Sequence, residues 1–187
     1  MKDPRPALGN ATLALMLFIG FEFMMFAALI SADLIFRSGE RSWPPAGLPA
    51  LPLGVTAANT AALLLSGVTM AFALRAVRRD ARGAFYAWLA LTQVLGLAFL
   101  CLQGTEWVRL VAKGLSLQSG MFGAAFFALV GLHALHVLGA VVWLCEIARR
   151  ARLGRYSAAA CLGPTLCGIY WFFVVGLWLL LFVLIYL

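Results

Sequence analysis

Five long runs of apolar residues, separated by short polar or basic segments, dominate this chain of 187 residues. An α-helix needs about 20 apolar residues to cross the hydrocarbon core of a bilayer, and each run has roughly this length. Lipid offers a backbone no hydrogen-bond partners, so each isolated run must satisfy its own as a helix. The sequence therefore predicts an all-α, polytopic membrane protein: one transmembrane domain, residues 1–187, folded as a five-helix bundle. The expected spans are residues 11–36, 55–74, 84–107, 120–147 and 163–187.

Composition and charge support a membrane protein and argue against nucleic-acid binding. The chain is 64% hydrophobic and only 11% charged, whereas soluble domains carry about 25% charged residues. The net charge of +7 comes largely from basic clusters between the apolar runs. No basic face interleaved with aromatic side chains is evident, so no nucleic-acid partner is expected. The two largest clusters are Arg75, Arg78, Arg79 and Arg82, and Arg149, Arg150, Arg152 and Arg155.

The distribution of Lys and Arg predicts the orientation of the five spans. Lys2, Arg5 and the two clusters of four put ten basic residues on one side of the membrane. The other side holds four, namely Arg37, Arg41, Arg109 and Lys113. Because cytoplasmic segments carry the excess of basic residues, we expect a cytoplasmic N-terminus and a C-terminus on the outer side.

Glu22 is the most unusual polar residue, because it lies near the middle of the first span among Phe and Met residues. A charged group at this depth is costly and invites a functional hypothesis. Such a carboxyl is either protonated or bonded to a polar partner on another helix. Two interpretations remain open: a proton-linked or lipid-contacting acid, and a neutral acid that helps the helices pack.

His133 and His136 lie three residues apart on the fourth span, and we expect them to share one helix face. A metal site needs further ligands at the same depth. The carboxylate-bundle pattern needs a Glu three residues before a His, but Val130 holds that position before His133. We interpret both histidines as hydrogen-bonded packing residues, and the sequence predicts no catalytic residue and no metal site in this chain.

The other polar side chains in or near the spans have more ordinary interpretations. Small and hydroxylated residues in the second span, around Asn59, predict that this helix packs inside the bundle. Glu106 lies three residues after Gln103 and beside Trp107, which favours an anchor at the level of the lipid headgroups. Two further acids, Asp33 and Glu146, are expected near span ends within reach of water.

Six short motifs follow one another along these spans. In chain order they are Glu22 with the following aromatic and Met-rich run; Trp43-Pro44-Pro45-Ala46-Gly47; Asn59-Thr60 with Ser66-Gly67-Val68-Thr69; Thr92 to Gly96 with Gln103-x-x-Glu106-Trp107; Gly131-Leu132-His133-Ala134-Leu135-His136-Val137; and Tyr170-Trp171 with Trp178-Leu179. Together they resemble subunit III of the haem–copper terminal oxidases, in its shorter five-helix bacterial form. The resemblance extends from about Gly20 to Leu187, and the Trp-Pro-Pro segment is its most specific part.

The resemblance implies a non-catalytic subunit of a proton-pumping respiratory oxidase that reduces oxygen to water, in a bacterial inner membrane. Haem and copper would belong to partner subunits, and this chain would contact catalytic subunit I, subunit II and phospholipid. Glu22 would support proton uptake or touch lipid. Structural or subunit-contact roles would fall to Asn59, Gln103, Glu106, His133 and His136, and the outer loop would be shaped by Trp43, Pro44 and Pro45.

The last span departs from the family pattern. Phe172 and Val175 occupy positions where the family has His and Asp. An accessory subunit of a nitric-oxide reductase therefore stays open as an alternative, as does a small free-standing transporter. The electron donor of the complex, cytochrome c or quinol, is left open by this sequence.

Overall fold

The computed structural model describes residues 9–39, 45 and 51–186. Five α-helices account for nearly all of this part of the chain, and each is long and apolar enough to cross a membrane. The predicted all-α bundle of five spans is confirmed. The helices are α1 (Asn10–Gly39), α2 (Leu53–Arg78), α3 (Arg82–Ala112), α4 (Gly120–Arg152) and α5 (Leu162–Tyr186).

The helices extend beyond the apolar stretches that revealed them. Helix α3 continues to Ala112 rather than ending near Trp107, and α4 continues to Arg152 rather than Ile147. Hydropathy marks only the part of a helix inside hydrocarbon, whereas backbone hydrogen bonding continues into the headgroup region. Basic residues in the last turns of α2, α3 and α4 also suit the negative end of the helix dipole.

Four of the helices form a closed ring. Helix α2 packs most extensively on α3, and the contacts α3–α4, α4–α5 and α5–α2 complete the circuit. Helix α2 buries the largest share of its apolar window, 56%, as its small and hydroxylated residues predict. Its polar side chains therefore face other helices instead of lipid.

Tryptophans of α5 form the centre of the ring. Trp171 and Trp178 are almost completely buried, and each indole N–H donates to a hydroxyl of α2. Trp171 Nε1 donates to Ser66 Oγ at 3.1 Å, and Trp178 Nε1 donates to Thr60 Oγ1 at 2.9 Å. A buried indole donor needs such a partner, so these bonds fix the register of α5 against α2.

Helix α1 lies outside the ring. In the described part of the chain it packs only on α4 and α5. Its three buried residues are Leu15, Phe26 and Asp33, while its other side presents exposed Phe, Met and Leu side chains. The helix is thus attached by a narrow strip that includes a buried acid.

Two residues of the predicted outer loop, Trp43 and Pro44, lie outside the described residues, whereas Pro45 is described and partly buried. The α2–α3 connection is held by Asp80, which has a left-handed backbone (φ 53°). Its Oδ1 accepts a hydrogen bond from the backbone N–H of Ala158 at 2.6 Å. This bond ties the α2–α3 connection to the α4–α5 connection at the same end of the bundle.

Candidate functional site

Glu22 meets a histidine of another helix. Its Oε2 lies against Nε2 of His136 on α4, and both side chains are nearly buried, with 11% and 12% of their surface exposed. The other ring nitrogen, Nδ1 of His136, lies 2.6 Å from the backbone oxygen of Leu132. The intramembrane acid therefore has a polar partner at its own depth.

The hydrogen-bond donors and acceptors around His136 determine how many protons the Glu22–His136 pair holds. A carbonyl oxygen can only accept, so Nδ1 of His136 must carry a hydrogen that it donates to Leu132. The close contact between Nε2 and the Glu22 carboxyl then needs one shared proton. That proton resides either on the acid, next to a neutral imidazole, or on the imidazole, next to a carboxylate. The pair has no net charge in either arrangement, which limits the cost of burial.

Aromatic rings surround the pair on the inner side of α1. Phe26, one turn after Glu22, packs edge-on against the His136 ring with the ring centroids 5.3 Å apart. Tyr170 of α5 contacts both Phe18 of α1 and Trp143 of α4, each at 5.9 Å between centroids. Aromatic rings of α1, α4 and α5 therefore lie close to the Glu22–His136 contact in the seam between these helices.

His133 has a different environment from His136 although only three residues separate them. It is completely buried, and its ring stacks on Trp178 at 5.1 Å and meets Phe99 edge-on at 6.2 Å. Neither of its ring nitrogens has a hydrogen-bond partner among the described residues. His133 thus points toward the centre of the four-helix ring, whereas His136 points toward α1. The two histidines therefore do not share one helix face as expected, and only the His136 imidazole has the expected hydrogen bonds among the described residues.

Asn59 and Gln103 belong to a polar contact line between α2, α3 and α5. Asn59 Nδ2 donates to the backbone oxygen of Phe99 at 3.2 Å and to Gln103 Oε1 at 3.4 Å. Gln103 Nε2 lies 3.5 Å from the hydroxyl of Tyr186. These bonds join helices within the chain, whereas Asn59 Oδ1 is buried and has no hydrogen-bond partner among the described residues. No motif or spacing in the sequence indicates the Tyr186 contact.

Glu106 is not a water-exposed anchor. Only 5% of its surface is exposed, and its Oε1 accepts a hydrogen bond from Nη1 of Arg109 at 2.9 Å. Asp33, also expected within reach of water, is 6% exposed. Of the acids placed near span ends, Glu146 alone keeps substantial exposure (36% of its side chain), and it pairs with Arg149 and Arg150.

The two substituted family positions differ in burial although they lie only three residues apart on α5. Phe172 is 40% exposed and points away from the bundle. Val175 is buried, and its Cγ1 would lie 3.7 Å from a methyl group placed on Gly67 of α2. An apolar residue at position 175 therefore fills the α2–α5 contact without requiring a polar partner there.

An open groove follows the seam between α3 and α4. It has a volume of about 600 Å³, and its walls are almost entirely apolar. The aromatic rings of Trp107 and Phe127 are 6.1 Å apart between centroids and line one end, while Leu135 and Leu138 line the other. Its shape and lining suit hydrocarbon chains better than any polar substrate.

No group of three or more His, Cys, Asp and Glu side chains that could hold a metal ion occurs among the residues that the structure describes. The polar groups are instead spread singly or in pairs over the helix contacts. Fold and site together define a membrane-spanning helical bundle in which buried polar pairs join helices. Such a bundle belongs to the class of accessory subunits of larger membrane complexes.

Comparison with known proteins specifies this class. The family model described as cytochrome c oxidase subunit III matches residues 9–187, so the chain belongs to that family. Cytochrome c oxidase subunit 3 of Synechocystis sp. is 33% identical over 172 residues, which cover 91% of this chain and 72% of the relative. Its counterpart from Thermostichus vulcanus is 33% identical over 175 residues (93% and 85%). Cytochrome bo(3) ubiquinol oxidase subunit 3 of Pseudomonas putida is 28% identical over 171 residues (91% and 82%).

The resemblance noted in the sequence is confirmed by these matches. The chain is a multi-pass membrane protein and a non-catalytic, accessory subunit of a haem–copper oxidase complex; its family carries neither haem nor copper of its own. The comparisons give no support to a nitric-oxide reductase subunit or to a free-standing transporter. Relatives named for cytochrome c and for ubiquinol both occur, so the electron donor remains open.

Proposed function

We propose that this chain stabilises catalytic subunit I of a proton-pumping respiratory oxidase and supports proton uptake by it, with subunit II as a further partner. The observation that carries this proposal is the Glu22–His136 pair. It holds one transferable proton near the middle of a membrane helix, without net charge. This proton can move between the carboxyl oxygen and the imidazole nitrogen without changing the net charge of the pair, whereas a lone buried carboxyl can only ionise unpaired.

The membrane and its lipids complete the proposal. We place the chain in a bacterial inner membrane with its N-terminus cytoplasmic and its C-terminus periplasmic, as the excess of Lys and Arg on one side supports. Phospholipid is the proposed occupant of the α3–α4 groove. The groove's apolar walls match acyl chains, and Arg109, with a side chain 67% exposed, is close enough along α3 to meet a headgroup.

The proton role is tested by Glu22→Gln in the purified complex. A glutamine N–H can donate to Nε2 of neutral His136, so the variant keeps the contact but cannot exchange a proton through it. We expect an unchanged ratio of this chain to haem, together with lower sustained oxygen uptake and faster inactivation during turnover. Glu146→Gln, at an exposed acid that already pairs with two arginines, is the matched control and should behave as wild type.

Glu22→Leu separates packing from proton transfer. It leaves His136 with an unpartnered ring nitrogen, which costs about 1–3 kcal/mol, so α1 should detach more easily than in Glu22→Gln. Turnover and lifetime equal to wild type in Glu22→Gln at several pH values would limit Glu22 to packing and refute the proton role. Purification of this chain without any haem protein would refute the assignment to an oxidase.

A further inference from the structure

Asp33 is a second acid on α1, and its carboxylate makes no hydrogen bond or close ion pair with a described residue. It lies three turns after Glu22, about 16 Å further along the helix axis. Its surface is 94% buried, because only 6% is exposed. No hydrogen bond or ion pair joins its carboxylate to a described residue, in contrast to Glu22, Glu106 and Glu146.

The arginine that would ordinarily neutralise Asp33 is engaged elsewhere. Arg37 lies four residues later on the same helix, the spacing at which Asp and Arg commonly pair. Its Nη1 instead donates to the backbone oxygen of Leu184 at 3.2 Å, near the end of α5. That bond satisfies an end carbonyl of α5 and holds Arg37 at the α1–α5 contact. Arg37 therefore attracts the Asp33 carboxylate electrostatically from nearby without hydrogen bonding to it.

The carboxylate of Asp33 lines a groove with a floor of small side chains. The groove lies between α1 and α4 and has a volume of about 190 Å³. Four alanines contribute to it, and alanine floors let a neighbouring transmembrane helix approach closely. The lining is Leu29, Ala32, Asp33, Phe36, Ala124, Ala125, Ala128 and Leu129.

We propose that this groove receives a transmembrane helix of a partner protein that carries a Lys or Arg side chain at the depth of Asp33. The inference depends on the proposed function in one respect, because it requires that this chain assemble with other membrane subunits. Charge complementarity selects this occupant: a basic side chain neutralises the buried carboxylate, and the alanines leave room for its stem. An acyl chain would fill the apolar part of the groove but leave the acid unpaired at a cost.

The groove is probed in the intact complex with a photo-crosslinking amino acid at position 125, whose alanine is partly exposed and lines this groove but not the α3–α4 groove. The matched control is the same probe at Ile35, which is on α1 close to Asp33 and 68% exposed. Illumination should link position 125 to one transmembrane peptide that contains Lys or Arg. The probe at position 35 should give mainly lipid adducts.

Charge variants complete the test. Asp33→Asn keeps the shape of the side chain and should weaken the cross-link, and Asp33→Lys should abolish it by repulsion. Glu146→Lys should leave it unchanged. Lipid adducts alone at position 125, a peptide without a basic residue, or a cross-link that is insensitive to Asp33→Asn would each overturn the inference. The haem content of the same preparation separately tests the assignment to an oxidase, so the two failures are distinguishable.

Discussion

Gly96 of α3 is the position where a single added methyl group should do most damage. A Cβ there would lie 2.6 Å from Cη2 and 3.2 Å from Cζ2 of Trp171, and 3.3 Å from Cγ2 of Val141. Carbon atoms pack best at about 3.5–4.0 Å. Gly96→Ala therefore requires the Trp171 ring to move away by most of an ångström.

Trp171 cannot move freely. The residue has no exposed surface, and its indole N–H donates to Ser66 Oγ at 3.1 Å. Overpacking of this kind costs about 1–3 kcal/mol, and losing the indole bond adds about 1–3 kcal/mol for a buried donor left unpaired. We expect Gly96→Ala to destabilise the bundle by about 2–6 kcal/mol. At about 2–4 °C per kcal/mol for a chain of this size, the apparent Tm should fall by at least about 4 °C.

The assay heats the purified complex and measures, at each temperature, how much of this chain has been released from it. Gly104→Ala is the matched control on the same helix, because a Cβ at Gly104 meets nothing within 4 Å. The double variant Gly96→Ala/Trp171→Phe removes the clashing ring edge and should lose less stability than the sum of the two single changes. Equal Tm values for Gly96→Ala and Gly104→Ala would refute the packing described for Trp171.

Two further predictions concern polar contacts. Arg109→Ala leaves the buried carboxylate of Glu106 without its donor and should cost about 1–3 kcal/mol. Glu106→Gln leaves an exposed arginine in contact with water and should cost less than about 1 kcal/mol. Thermal unfolding that ranks the two variants in the opposite order would contradict the burial of Glu106. Asp80→Ala removes the hydrogen bond from the backbone N–H of Ala158. The alanine must then keep the left-handed backbone of residue 80 without that bond to stabilise it. It should speed limited proteolysis within residues 153–161, reflecting a cost of about 1–2 kcal/mol, while Asp80→Asn should not.

The sequence predicts most of the fold because hydrophobic length is a direct consequence of bilayer thickness. The number of helices follows from the number of apolar runs of this length. The burial of α2 follows from the small and hydroxylated residues of that helix. The pairing of polar groups does not, since it depends on how helices rotate against one another. His133 and His136 are about 60° apart around α4. Helix α4 contacts the other helices of the ring on one side and α1 on another. That small angle is enough to send one ring to Trp178 and the other to Glu22.

The acids near span ends show a second limit. Their position in sequence indicates depth but not the direction in which each side chain points. Asp33 and Glu106 lie at depths where water is close, yet both face other helices and are buried. The proline-rich segment that made the family resemblance most specific falls partly on Trp43 and Pro44, outside the described residues, so its predicted role in shaping the outer loop stays a prediction.

The position of α1 outside the ring has a consequence for biosynthesis. Chains enter the membrane in order from the N-terminus, so α1 is inserted before α4 and α5, the only helices it touches in the described structure. Until those helices emerge, Glu22 has no histidine beside it, and Asp33 faces lipid. Helix α1 therefore reaches its contacts with α4 and α5 only after both are inserted, although it precedes the other four described helices in the chain. A chaperone or a partner subunit that shelters these acids would act at this stage.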